Sequence, residues 1–145
     1  MKRFSLLCFA PLLLAFSPCV FAQDAKPYKD GPVVDVTFIK TRPGQFDNYM
    51  KFLDGPYKKL MEAQKKAGLI LGYKVFTSEP RSPHDADVIL SITFANMAAL
   101  DKTDEADAVS AKVLGSSDDQ NKATIERGPM RDVLGSQLMR EMILK

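Results

Sequence analysis

The stretch Arg81-Ser82-Pro83-His84-Asp85-Ala86-Asp87 holds the chain's one histidine, His84, with two aspartates beside it. An imidazole oriented by a carboxylate is a familiar general base, but only when geometry joins the two. Neighbourhood in sequence does not supply that geometry. Pro80 and Pro83 mark a turn-rich connection, and such connections run over the surface. His84 is therefore expected to be a solvated loop tip that does no catalysis.

Other chemistries find less material. A transition-metal site needs several nitrogen, sulfur or carboxylate ligands converging. The two cysteines, Cys8 and Cys19, both fall in the first 22 residues, and there is one histidine, so no metal site is expected. The acids of Ser116–Asn121 and Asp101–Asp107 lack the Asp-x-Asp-x-Asp-Gly spacing of a calcium loop. They read as solvated helix ends, where acids are favoured near the N-terminus. No nucleophile elbow, phosphate loop or dinucleotide fingerprint is present, and no cofactor is expected.

The elements that would position a site are legible from periodicity and turn residues. Val33–Lys40 alternates as a strand, with Val34, Val36 and Phe38 on one parity and Asp35, Thr37 and Ile39 on the other. Thr41-Arg42-Pro43-Gly44 breaks it. From Phe46 to Gln64 the apolar positions recur at helical steps, and Gly68 is placed as a terminator. Gly55-Pro56 predicts a kink or two helices, with Asp54 a candidate N-cap for the second. Leu69–Ser78 and Asp87–Phe94 are two further strands. The latter carries Val88, Leu90, Ile92 and Phe94 on one face. Asn96 is a candidate cap for a helical stretch. A second helical stretch is expected from about Ser117 to Leu134, broken at Gly128-Pro129. The end, Ser136–Lys145, fits a short helix or a last strand.

The N-terminus reads differently. Lys2 and Arg3 precede an apolar run from Phe4 to Phe16, and Val20-Phe21-Ala22 supplies small residues at the right places. This is the pattern of a secretory signal cleaved after Ala22. Pro11 and Pro18 interrupt a run already shorter than the ~20 residues a membrane span needs. Lipid attachment at Cys19 is disfavoured by the preceding Phe16-Ser17-Pro18. The expected location is the periplasm or the exterior. Without Lys2 and Arg3, 18 basic residues remain against 18 acidic ones. That balance gives no reason to expect nucleic acid or an anionic membrane as a partner. Residues 23–32 read as a flexible lead-in and 33–145 as a single domain.

With a strand at the end, the order is β-α-β-β-α-β, the ferredoxin-like arrangement: an α+β fold with helices on one face of a four-stranded antiparallel sheet. Val34, Val36, Phe38, Val88, Leu90, Ile92 and Phe94 are expected to face the helices. The opposite face, with Asp35, Thr37, Ile39, Ile89, Ser91 and Thr93, is too apolar to stay wet. A second copy is its simplest cover, so a homodimer is expected.

The run Val33–Leu53, with its Pro-Gly turn between strand and long helix, resembles the start of the dimeric α+β barrel superfamily. Ala67–Phe76 is similar to its second strand. The superfamily includes antibiotic-biosynthesis-type monooxygenases and NIPSNAP-like and EthD-like small proteins. The resemblance covers roughly Val33 to Leu144 and implies a pocket between sheet and helices for small, flat, hydrophobic molecules. It also implies, in several members, oxidation without metal or flavin. A haem-handling relative would offer a pocket histidine, which this chain lacks.

On that premise Tyr49 and Tyr57 from the helix and Tyr73 from the second strand are candidate ligand contacts, against the plainer reading of core-edge tyrosines. Arg127, Arg131 and Arg140 are candidate cations at the pocket mouth, against ordinary salt bridging. Asp35 and Arg140 would pair if they share a face on neighbouring strands. Three functions follow. The chain is an exported small-molecule-binding protein, a cofactor-free monooxygenase or isomerase on an aromatic or quinol-type substrate, or a structural dimer with a protein partner.

Overall fold

A computed structural model describes residues 26–145. The expected signal segment, its cleavage point and both cysteines lie outside those residues. The first strand, β1 (Tyr28–Thr41), starts ahead of Val33, inside the segment read as a flexible lead-in. Tyr28, Lys29 and Asp30 pair with Leu144, Ile143 and Met142 of the last strand, and the register shifts between Asp30 and Val33. Pro32 sits in that irregularity, where its missing N–H does no harm to a ladder.

Gly44, at φ +74°, turns the chain into α1 (Phe46–Phe52). The helix then widens into a five-residue π turn, Leu53–Tyr57, and continues as α2 (Lys58–Lys66). Pro56 would clash with the carbonyl of an ordinary preceding turn. The wider turn and Gly55, at φ −95° and ψ −105°, absorb it. The chain bends without starting afresh, so Asp54 caps nothing and instead pairs with Lys58 at 2.8 Å. Gly68, at φ +73°, ends α2 in a Schellman turn. Leu69 N–H donates to the Gln64 carbonyl and Gly68 N–H to that of Lys65, both at 3.0 Å.

β2 (Gly72–Thr77) and β3 (Val88–Phe94) follow. Asn96 caps a 3-10 turn, Met97–Asp101, its side chain accepting from Ala99 N–H at 3.1 Å. α3 (Thr103–Leu114) and α4 (Ser117–Arg127) complete the helical layer. The expected helix to Leu134 stops earlier. Gly128-Pro129-Met130 forms a 3-10 turn and β4 runs from Arg131 to Leu144. The ambiguous C-terminal segment is thus a strand, and Arg131–Leu134 belongs to it.

The sheet order is β2-β3-β1-β4, antiparallel throughout, which is the ferredoxin-like arrangement. One expectation about its faces is overturned. Ile39 is paired with Val88, Thr37 with Leu90, Asp35 with Ile92 and Val33 with Phe94. Directly opposed residues point the same way. Ile39 and Val88 form the core with Tyr49 and Leu53, and a second cluster joins Met61, Leu69 and Ile70. The helix-facing parity of β1 is therefore Asp35, Thr37 and Ile39. Val34, Val36 and Phe38 lie on the outer face with Thr93, Ser91 and Ile89. Both parities of β1 are apolar enough to be buried, and only pairing with β3 selects one. The selected parity brings two small polar side chains under the helices.

Candidate functional site

Asp35 and Thr37 leave space where larger apolar side chains would have filled it. They form the floor of a chamber of about 180 Å³ with Leu90 and Ile92 of β3. Tyr49, Phe52 and Tyr57 of the bent helix form the roof, and Arg127 and Arg131 close one side. A second cavity of about 250 Å³ lies between the π turn and the α3–α4 pair, near Pro56, Leu60 and Ala123. Phe52, Tyr57 and Arg127 line both spaces. Neither reaches the ~300 Å³ of a small ligand pocket by itself.

The π turn matters for this geometry, since Phe52 immediately precedes it, Tyr57 ends it, and both line the two spaces. The Tyr57 hydroxyl is buried and has no hydrogen-bond partner. Burial first, then the neighbouring Tyr49, Tyr73 and Asp35, push its pKa up to about 12. Burial also raises Tyr49, against the opposing pull of the Arg131 and Arg127 charges. The Tyr49 and Phe52 rings stack at 6.0 Å and 14°.

Two guanidiniums meet these rings. Arg127, the last residue of α4, lies 5.0 Å from the Phe52 ring centre, and Arg131, the first of β4, lies 5.5 Å from that of Tyr49. Arg127 is tied to its own helix. Its Nε–H donates to the Ala123 carbonyl at 3.0 Å and its Nη2 to Thr124 Oγ1 at 2.7 Å. Arg131 is not so tied, and its Nε is buried with no partner. Burial, and next the Arg131 charge, push the Arg127 pKa below its ordinary value.

Of the three tyrosines and three arginines singled out as candidates, the fold brings Tyr49, Tyr57, Arg127 and Arg131 together. Tyr73 stands one step outside. Its ring meets Tyr57 edge-on at 6.0 Å and 83°, and its hydroxyl donates to Glu62 Oε1 at 2.9 Å. Arg140 lies along β4 about 30 Å from Arg131 at ~3.3 Å per residue. It pairs with Asp30 at 3.0 Å and not with Asp35, because Arg140 stands opposite Val33 and Asp35 opposite Leu138. Asp35, Thr37 and Phe52 are chamber residues that sequence reasoning did not place there. Their signal was the β1 parity, which local pattern leaves open.

His84 is exposed, and neither aspartate orients it. The Asp85 carboxylate accepts the backbone N–H groups of Arg81 and Ser82, each at 2.9 Å. Asp87 accepts the N–H of Thr41 at 2.9 Å and its hydroxyl at 2.6 Å. Both carboxylates are spent on holding the loop. Among the described residues no three His, Cys, Asp or Glu side chains gather as a metal site would require. No helix among them is long and apolar enough to cross a membrane.

No protein-family model matches the chain, and no curated protein does. Solved structures do. A protein of Shewanella oneidensis is similar at a TM-score of 0.52 and 13% identity, covering 80% of this chain and 98% of its own. HapK of Hahella chejuensis is similar at 0.49 and 11%, covering 75% of this chain and 91% of its own. A dimeric ferredoxin-like protein from an uncultured marine organism is similar at 0.49 and 10%, covering 79% and 97%. The Shewanella likeness bears on the fold alone, and the two below 0.5 carry no argument. The chain thus shares its overall fold with a solved structure.

Proposed function

We propose that the protein binds a flat, largely apolar small molecule in the chamber between sheet and helices, and does so as an exported homodimer. One observation carries the binding reading. The Tyr57 hydroxyl and Arg131 Nε are both buried without partners, and both residues line the same chamber. Buried polar groups are nearly always hydrogen-bonded, and leaving one unmet is costly. A ligand that accepts from both removes that cost, while Tyr49, Phe52, Leu90 and Ile92 supply apolar contact. Export rests on the pattern of residues 1–22. The dimer rests on the outer sheet face and on β4, whose Leu138, Met139, Met142 and Ile143 are 42–47% exposed.

Native mass spectrometry of the protein recovered from its host tests this. The expected spectrum shows a small molecule retained by the folded chain and, with cleavage after Ala22, a chain starting at Gln23. Tyr57→Phe is expected to weaken retention at least severalfold while leaving the empty protein as stable or slightly more so, since it removes an unmatched hydroxyl. A chain that never carries a ligand, with Tyr57→Phe indistinguishable from the parent, would favour the structural role with a protein partner.

Asp35 supports a second reading, cofactor-free catalysis on the bound molecule. It is the carboxylate of the chamber lining, placed on the floor beneath the aromatic roof. A carboxylate there is suited to take a proton from a phenol or enol. Oxygen consumption with a panel of quinols, lost in Asp35→Asn, distinguishes this from binding alone.

A further inference from the structure

We infer that the molecule taken by the chamber is an anion, a planar aromatic bearing an ionised oxygen seated at Arg131. This rests on the chamber being a ligand site and adds the charge of what enters it. Two guanidiniums and one carboxylate, Asp35, line the space, so the lining carries a net positive charge. Elsewhere Arg42 pairs with Asp132 and Arg140 with Asp30, and Arg81, which joins no ion pair among the described residues, is exposed to water on its loop. Among the described residues neither Arg127 nor Arg131 joins an ion pair, although both sit in a partly enclosed space. A charge held away from water without a counter-ion is unfavourable.

The two arginines are not equivalent. Arg127 spends Nε and one Nη on α4, and its position over Phe52 makes it part of the wall. Arg131 has a ring beneath it and an enclosed Nε with no acceptor. A guanidinium donates in a planar fork that suits a carboxylate or phenolate. Burial first, and the Arg131 charge after it, disfavour the charged Arg127, and both costs are relieved by an anion and worsened by a cation. The stacked Tyr49–Phe52 pair provides a flat apolar surface alongside.

Calorimetric titration of the purified chain with naphthoate and with its neutral isostere naphthamide tests the charge directly. Naphthoate is expected to bind about tenfold tighter or more, with the advantage shrinking at high salt. Arg131→Met, checked for folding by its melting transition, is expected to reduce the preference to about threefold or less. Asp35→Asn is expected to widen the preference for naphthoate over naphthamide severalfold, which keeps the test decisive should Arg131→Met fail to fold. Equal affinity for both probes overturns the anion and leaves the chamber standing as a ligand site. A naphthoate preference untouched by Arg131→Met and Asp35→Asn overturns the assignment to Arg131. Binding of neither probe overturns both the anion and the chamber.

Discussion

Tyr57 keeps its proton well past the pH at which a free phenol loses it. In the unfolded chain a tyrosine titrates near 10, whereas Tyr57 in the fold titrates at about 12. The protonated form is favoured by the native state, a contribution fully present below pH ~10 and lost as pH rises through about 12. Stability is therefore expected to fall across that window by up to one proton's slope. Urea unfolding at pH 9 and pH 11 should show a drop that is smaller in Tyr57→Phe. It should not vanish, because Tyr49 and Tyr73 are shifted the same way. An equal drop in both proteins would contradict the placement of Tyr57. The four sequence candidates that line the chamber, Tyr49, Tyr57, Arg127 and Arg131, were legible because helical spacing and the break at Gly128-Pro129 limit where they can point. Asp87 was not: its bonds to Thr41 cross 46 positions, and no local pattern encodes them.

At the scale of elements, α4 begins with a capping box. The Ser116 hydroxyl accepts from Asp119 N–H at 3.3 Å, and the Asp119 carboxylate accepts from Ser116 N–H at 3.0 Å. Ser116→Ala is expected to lower the melting temperature by a few degrees without changing the protein's association state. Differential scanning calorimetry checks this, and an unchanged transition would show that α4 is held by packing alone. The order of elements could be read because Pro-Gly, Gly-Pro and Asn punctuate it. The orientation of β1 could not, because Val34, Val36 and Phe38 compete with Val33 and Ile39 for the same burial. The C-terminal segment was ambiguous for a related reason. Leu138, Met139, Met142, Ile143 and Leu144 satisfy two periods, and the long pairing with β1 decides between them.

For the whole molecule, β4 is the exposed element. Apolar residues on both of its faces meet solvent, and Phe76 at the other edge of the sheet is 48% exposed. Long apolar edge strands invite pairing with another chain. A homodimer is expected to seal the outer face, giving a light-scattering mass of two chains at micromolar concentration. Met139→Lys, placed beside Val34 on that face, is expected to reduce it to one. A single-chain mass for the parent would remove the dimer.

The last strand lies against the first, and Asp30 meets Arg140 across 110 positions of chain. A nascent or partly threaded polypeptide therefore has no way to complete its sheet. Ring closure over so long a loop is entropically slow to find. Until residue 131 and those after it emerge, β1 has β3 on one side and a bare edge on the other. Shortened translation products should be sticky and protease-sensitive, and folding should behave as a single late event.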